Sequence, residues 1–138
     1  MAYEAGLFDI TAKSSGDMSS NQYKLVSLSS SNDTGGCIVG PTTLGGRITG
    51  IWQEDSTAAE YGKIRVLGIS KAVVSTGSGP IVGGSLLTGS TATHGGVTLS
   101  TSTGMTQFVV GIAMAAIASG SSGVIPVLLT PSHHLSNS

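Results

Sequence analysis

Apolar and polar positions alternate along much of this chain with the period of a β-strand. In "KIRVLGI" the residues Ile64, Val66 and Gly68 fall on one face and Lys63, Arg65 and Leu67 on the other, the pattern of a half-buried strand. "GRITGIWQ" before it alternates too, and the polar "EDSTAAEYG" between them reads as a loop ending in glycine. "QYKLVSLS", "CIVG" and "VTLS" are further short strands, "ISKAVVS" continues or follows the closing strand, and "IVGGSLLTG" is a strand pair or a bulged strand. "SSNDTGG", "PTTLGG", "TGSGP" and "TATHGG" separate them as turns. Short strands at this spacing predict an all-β chain, folded as a small β-barrel or sandwich-like domain.

One stretch breaks the alternation. "FVVGIAMAAIASGSSGVIPVLL", Phe108 to Leu129, is almost continuously apolar. It resolves when set beneath "ITGIWQEDSTAAEYGKIRVL". Gly50 meets Gly111, Ile51 meets Ile112, Gly62 meets Gly123, and Ile64, Val66 and Leu67 meet Ile125, Val127 and Leu128, all 61 residues apart. The match implies a duplicated strand-loop-strand unit, with "FVVGIAMAAI" as strand and loop entry, "ASGSSG" as loop and "VIPVLLT" as closing strand. The apolar run is too short for a membrane helix, which needs about 20 residues, and Gly120 and Gly123 would interrupt one. A short helical turn at "AMAAIA" is the alternative for the loop. Pro126 lacks an N–H and belongs at an edge or a bulge.

The two ends are different in character. Residues 1–22 carry Tyr3, Leu7, Phe8 and Ile10 as scattered apolar anchors in a Ser-rich segment without periodicity, the pattern of an extended N-terminal arm. Residues 23–131 form the β-domain, and 132–138 read as a flexible tail. The arm is either a frayed terminus or a docking segment. Trp52, the only tryptophan, is either core or an interface anchor, and it stands where the second copy has Ala113.

Charge narrows the possible functions. Only 9% of the 138 residues are charged and the net charge is −1. Nucleic-acid binding needs clustered Lys and Arg, so it is not expected. A surface of Ser, Thr, Asn and Gly offers little repulsion between copies and suits an assembly. No basic and apolar leader opens the chain, and the lone Cys37 cannot close an internal disulfide, which fits a reducing compartment and a small buried hydrophobe.

Catalytic signals are missing from the pattern. "GPTTLGG" and "GSGPIVGG" lack the Lys-Ser/Thr of a phosphate loop, and no Gly-x-Ser-x-Gly occurs. Glu54 and Asp55 are neighbours in a loop, where adjacent side chains point apart. His133 and His134 sit in the tail and His94 in a turn, without the converging spacing of metal ligands. No catalytic residue, cofactor or metal site is expected, and the chain is not read as an enzyme.

The segments "GGRITGIWQEDSTAAEYGKIRVLGISKAVV", "GPIVGGSLLTG" and "VVGIAMAAIASGSSGVIPVLL", roughly residues 45–130, resemble the small capsid decoration, or cement, proteins of tailed bacteriophages. Members of that family similarly run through a Gly-Ile-Ala segment, a strand ending at Gly, a Gly-x-x-Leu step, and a second Gly-x-Ala segment with a closing apolar strand. This chain departs from them at Trp52-Gln53, where Ala is commoner, and in its unmatched N-terminal part. The resemblance implies a non-enzymatic virion protein, made in the host cytoplasm and placed on the outer surface of the head. It implies the major capsid protein as partner, a homotrimer, and a clamp across neighbouring capsomers, with no nucleic acid or membrane involved. Tyr3, Leu7, Phe8, Ile10 and Trp52 are the candidate capsid or subunit contacts. The alternative is a carbohydrate-binding or adhesion module of a head fibre or tail. Its supply of aromatics is thin, at one Trp, three Tyr and two Phe.

Overall fold

A computed structural model describes residues 5–14, 18–28, 36–40, 47–55, 61–76, 78–90, 93–100 and 106–135. Among these residues every regular element is a strand: β1 (Ala5–Lys13), β2 (Leu25–Leu28), β3 (Cys37–Val39), β4 (Gly50–Trp52), β5 (Tyr61–Val74), β6 (Leu86–Gly89), β7 (Val97–Leu99), β8 (Thr106–Ala113) and β9 (Gly123–Leu135). "KIRVLGI" and "ISKAVVS" run together as the 14-residue β5, while "QYKLVSLS" is strand only over Leu25–Leu28 and "IVGGSLLTG" only over Leu86–Gly89, with Ile81 in an isolated bridge.

The long strand β5 organises the molecule. Its first half pairs with β4, setting Ile64 opposite Trp52 and Arg65 opposite Ile51. Its other edge takes β1, with Gly62 opposite Ala12, Arg65 opposite Asp9 and Leu67 opposite Phe8. From Gly68, whose φ of 106° calls for glycine, β5 continues against β9 and ends with Val74 parallel to Val97 of β7. The ladder β5–β7–β6–β8–β9 then returns to β5, closing a five-stranded barrel. The chain therefore folds as a barrel, not a sandwich.

The remaining strands nearly repeat that circuit. β1, β5, β4, β2 and β3 are paired in sequence, and a parallel bridge between Ser14 and Cys37 joins the ends. β5 thus serves as the last strand of a first barrel and the first strand of a second. Each barrel has its own apolar interior. Ala12, Met18, Val26, Cys37, Trp52 and Ile64 fill the first. Ala72, Val74, Leu87, Val97, Val110, Ala113, Ile125, Val127 and Leu129 fill the second.

The two circuits correspond bond for bond. Tyr23 N–H donates to the Trp52 carbonyl at 2.8 Å, and Gly84 N–H donates to the Ala113 carbonyl at 2.8 Å. The return bonds match as well, Trp52 N–H to Lys24 and Ala113 N–H to Ser85, both at 2.9 Å. Tyr23 and Gly84 even share the left-handed backbone, with φ of 65° and 91°. The duplication extends beyond the hairpin, to β2–β3–β4–β5 against β6–β7–β8–β9.

The pairing also corrects the gapless alignment. Ile51 faces Arg65, but Ile112 faces Leu128, so the closing strand of the second copy is displaced by two residues. Ile64 corresponds to Val127, and Gly62 to Ile125 rather than to Gly123. A slip of two keeps every side chain on its original face, which is why both registers read as plausible.

Four other expectations meet the structure here. Residues 5–13 of the segment read as an arm are extended, and they lie along β5 as β1. Residues 132–135 of the expected tail belong to β9 and pair with β8. "AMAAIA" forms no helical turn, and Ile117 instead bridges Ile81. Pro126 is buried in β9 between β5 and β8, not on an edge. Its carbonyl accepts from Met114 N–H at 2.9 Å. A residue's N–H and C=O share one side of a strand, so the missing donor faces the side where β8 has just ended.

Candidate interaction surface

Glycines set the two hairpins. A Cβ on Gly50 would lie 2.3 Å from the Arg65 carbonyl oxygen, and one on Gly111 would lie 2.2 Å from that of Leu128. Backbone fills the space at both positions, so only glycine lets the opening strand approach its partner this closely.

The interiors balance volume differently. Trp52 is fully buried in the first barrel, and a Cβ on Gly62 would stand 2.4 Å from its Cζ2. The second barrel has Ala113 in the place of Trp52 and Ile125 in the place of Gly62. One large residue beside none is exchanged for one small residue beside one of medium size, and both barrels fill. Trp52 Nε1 is buried without a hydrogen-bond partner. The ring is therefore held for its volume rather than its donor. This corrects the expectation that Trp52 is a contact residue: with no exposed surface it has nothing to offer a partner.

Of the other candidates, Tyr3 lies outside the described residues. Ile10 is partly buried against the first interior, and this packing ties it to the fold. Leu7 and Phe8 are exposed, Leu7 at 80%. The β1–β5 register shifts between Gly6 and Phe8, which leaves Leu7 as the extra residue of a bulge and turns it outward.

The feature not anticipated from the sequence is a row of apolar side chains across the outside of the second barrel. Leu86 is opposite Ile112, Ile112 opposite Leu128, and Leu128 opposite Ile69. Residues directly opposite share a face. Their chain neighbours Leu87, Ala113, Val127 and Ser70 are buried, so this row is the outer one. Leu67 continues it along β5, and Phe8 lies opposite Leu67. Leu86, Leu128, Leu67 and Phe8 are exposed by 39%, 37%, 43% and 55%. Single exposed apolar residues are ordinary, whereas this set runs contiguously across β6, β8, β9, β5 and β1. The signal was present in "VIPVLL". A strand apolar in both phases carries apolar side chains on both of its faces.

The corresponding row on the first barrel is built differently. Leu25 and Ile51 take the places of Leu86 and Ile112, and both are fully buried in the cluster that forms the interior of the second barrel. Arg65 and Asp9 take the places of Leu128 and Ile69. Arg65 Nε donates to Asp9 Oδ1 at 3.0 Å and Nη2 to Oδ2 at 3.3 Å. Nη1 donates to the Ile69 carbonyl at 3.1 Å.

No group of three or more His, Cys, Asp or Glu residues able to hold a metal occurs among the described residues. Asp55 Oδ1 accepts from Ser20 N–H at 3.2 Å, a loop contact. His94 is exposed in its turn. Burial pushes the Cys37 thiol above its ordinary value, which makes it a poor nucleophile. No helix among the described residues is long and apolar enough to cross a membrane.

These features define a small all-β protein of two barrels sharing a strand, with an apolar outer face on the second. No family model matches the chain, and no curated protein does. Among solved structures it is similar to the head fiber gp8.5 N base of bacteriophage phi29, at a TM-score of 0.58 and 17% identity, over 89% of this chain and 93% of that one. At that identity the likeness establishes the fold.

Proposed function

We propose that this chain is a non-enzymatic structural protein of a phage virion, attached to the outer surface of the head. The observation that carries the reading is the fold likeness to a head fiber base over nearly the full length of both chains. The resemblance of the hairpin segments to capsid decoration proteins points the same way. The weakly charged surface and the exposed apolar face suit a protein that works by contact. Its partners are the major capsid protein and further copies of itself, most simply as a homotrimer, with neither nucleic acid nor membrane engaged. Bound at the junctions between capsomers, it holds neighbouring capsomers together. Many weak contacts engaged at once supply avidity.

Co-sedimentation with mature heads stripped of the protein tests this. Saturable binding together with a raised thermal transition of the shell is expected. Absence of binding by folded protein would remove the head-surface reading.

A second reading has its own support, because the similar structure is the base of a fiber. In that case the chain anchors or forms part of an adhesive fibre. Binding to heads without any change in shell stability, together with retention on a glycan array, would select it.

A further inference from the structure

We infer that the outer face of the second barrel, the row Leu86–Ile112–Leu128–Ile69, is a self-association surface that takes the first barrel of another copy of this chain. The inference deepens the oligomer part of the head-surface reading and rests on that reading only for its biological setting.

The argument comes from the internal duplication. The first barrel has the same face, and inside the molecule that face is covered. Leu25 and Ile51 are buried in one cluster with Ala72, Val74 and Val97, which belong to the second barrel. The contact is fastened by main chain: Leu25 N–H donates to the Gly95 carbonyl at 2.8 Å, and Val73 N–H to the Tyr23 carbonyl at 3.0 Å. One barrel's outer face thus already accepts the closing edge of the next barrel in series. The second barrel presents the same face, and on it Leu86 and Leu128 are exposed.

The residue choices on the two faces agree. Where the first face runs out to solvent it carries the Arg65–Asp9 pair. At the same two places the second face carries Leu128 and Ile69. A face meant for water has a solution available in this fold, and the second barrel does not use it. The covering element in the internal contact is the β5 end and the turn before β7. Its counterpart on the first barrel is the β1 end and the start of β3, where Ser14 bridges Cys37. The face and the edge are different surfaces, so the contact between copies is head-to-tail, and it closes into a ring when the rotation allows.

The test is the mass of the full chain in solution by sedimentation equilibrium. Ile69→Asp/Leu128→Arg installs on the second barrel the pair that the first already carries, so the fold has a precedent for it. The wild-type chain is expected to form a discrete oligomer. The double variant is expected to sediment as a monomer with an unchanged far-ultraviolet spectrum, at least tenfold weaker in self-association. Lys63→Glu, exposed on the outside of the first barrel, should leave the oligomer intact. If the double variant fails to fold, Leu86→Arg at the far end of the row is read in the same way. A monomeric wild type, or an oligomer undisturbed by folded variants, overturns the proposal. Head binding is scored separately. An oligomer that ignores heads keeps this inference and removes the head-surface reading, and a monomer that saturates heads does the opposite.

Discussion

The two barrels share a circuit and a strand, yet they differ in how they fill and in what they show to solvent. The first is filled by Trp52 over Gly62, the second by Ala113 beside Ile125. In the corresponding rows the first has Leu25 and Ile51 covered and Arg65 paired with Asp9, while the second leaves Leu86 and Leu128 exposed. The backbone bonds hardly change between them. Pairing and glycine placement therefore carry the architecture, and side-chain volume and outer chemistry are free to diverge. The divergence in outer chemistry separates a face used within the molecule from one available to a partner.

The comparison can be broken by substitution, beginning with the largest expected effect. Trp52→Ala should destabilise by about 3–5 kcal/mol, as for a buried large residue replaced by a small one. Urea unfolding followed by circular dichroism measures it, and a loss below about 1 kcal/mol would mean that the first interior is not packed around the indole. Gly50→Ala and Gly111→Ala should each cost about 1–3 kcal/mol by forcing a Cβ against a carbonyl. Similar midpoint shifts for the pair would support equivalent hairpins, and a silent Gly111→Ala would break the equivalence.

A smaller effect sharpens the volume argument. Trp52→Ala/Gly62→Ile gives the first barrel the solution of the second. It should recover about 1–2 kcal/mol relative to Trp52→Ala alone, a coupling within the range for touching core residues. Additive losses would show that the two sites do not trade volume.

The smallest effect concerns Cys37, whose counterpart is Val97. Cys37→Val should change stability by less than about 1 kcal/mol near neutral pH. The folded thiol is held above its ordinary value by burial, so on raising the pH the unfolded chain loses its proton first. Stability of the wild type should then fall as pH rises through the ordinary thiol value, until the folded thiol also ionises. The variant should lack that part of the decline. Parallel alkaline profiles for the two proteins would show that the thiol is not held neutral.

Much of this was legible in the chain. Alternation around Ile64 and Val66, with glycine-rich turns between short runs, specified strands because a strand's two faces see different solvents. The hairpin duplication was visible because Gly50 and Gly111 are both locked by backbone. The full duplication was not, because the spacing changes along it. Leu25 and Leu86 are 61 apart, Cys37 and Val97 are 60, and Ile64 and Val127 are 63. Turn insertions hide a repeat that main-chain bonds preserve. β1 shows no clear alternation in the sequence because the adjacent Leu7 and Phe8, where its register with β5 is irregular, are both apolar and both exposed. Trp52 could not be placed from sequence because the cavity that holds it is made by the absence of a side chain at Gly62. The apolar row escaped notice because its members come from four strands and are not close together in the chain.

The central claim is that the chain forms two barrels on one shared strand, each closed by its own first strand. Amide hydrogen exchange on the chain lacking residues 1–13 tests it most directly, since that deletion removes β1 and leaves β5 in place. Val26, Trp52 and Ile64, in the first interior, should lose protection, while Leu87, Val97 and Val127 in the second remain slow to exchange. Protection retained alike in both, or lost alike in both, would contradict the account.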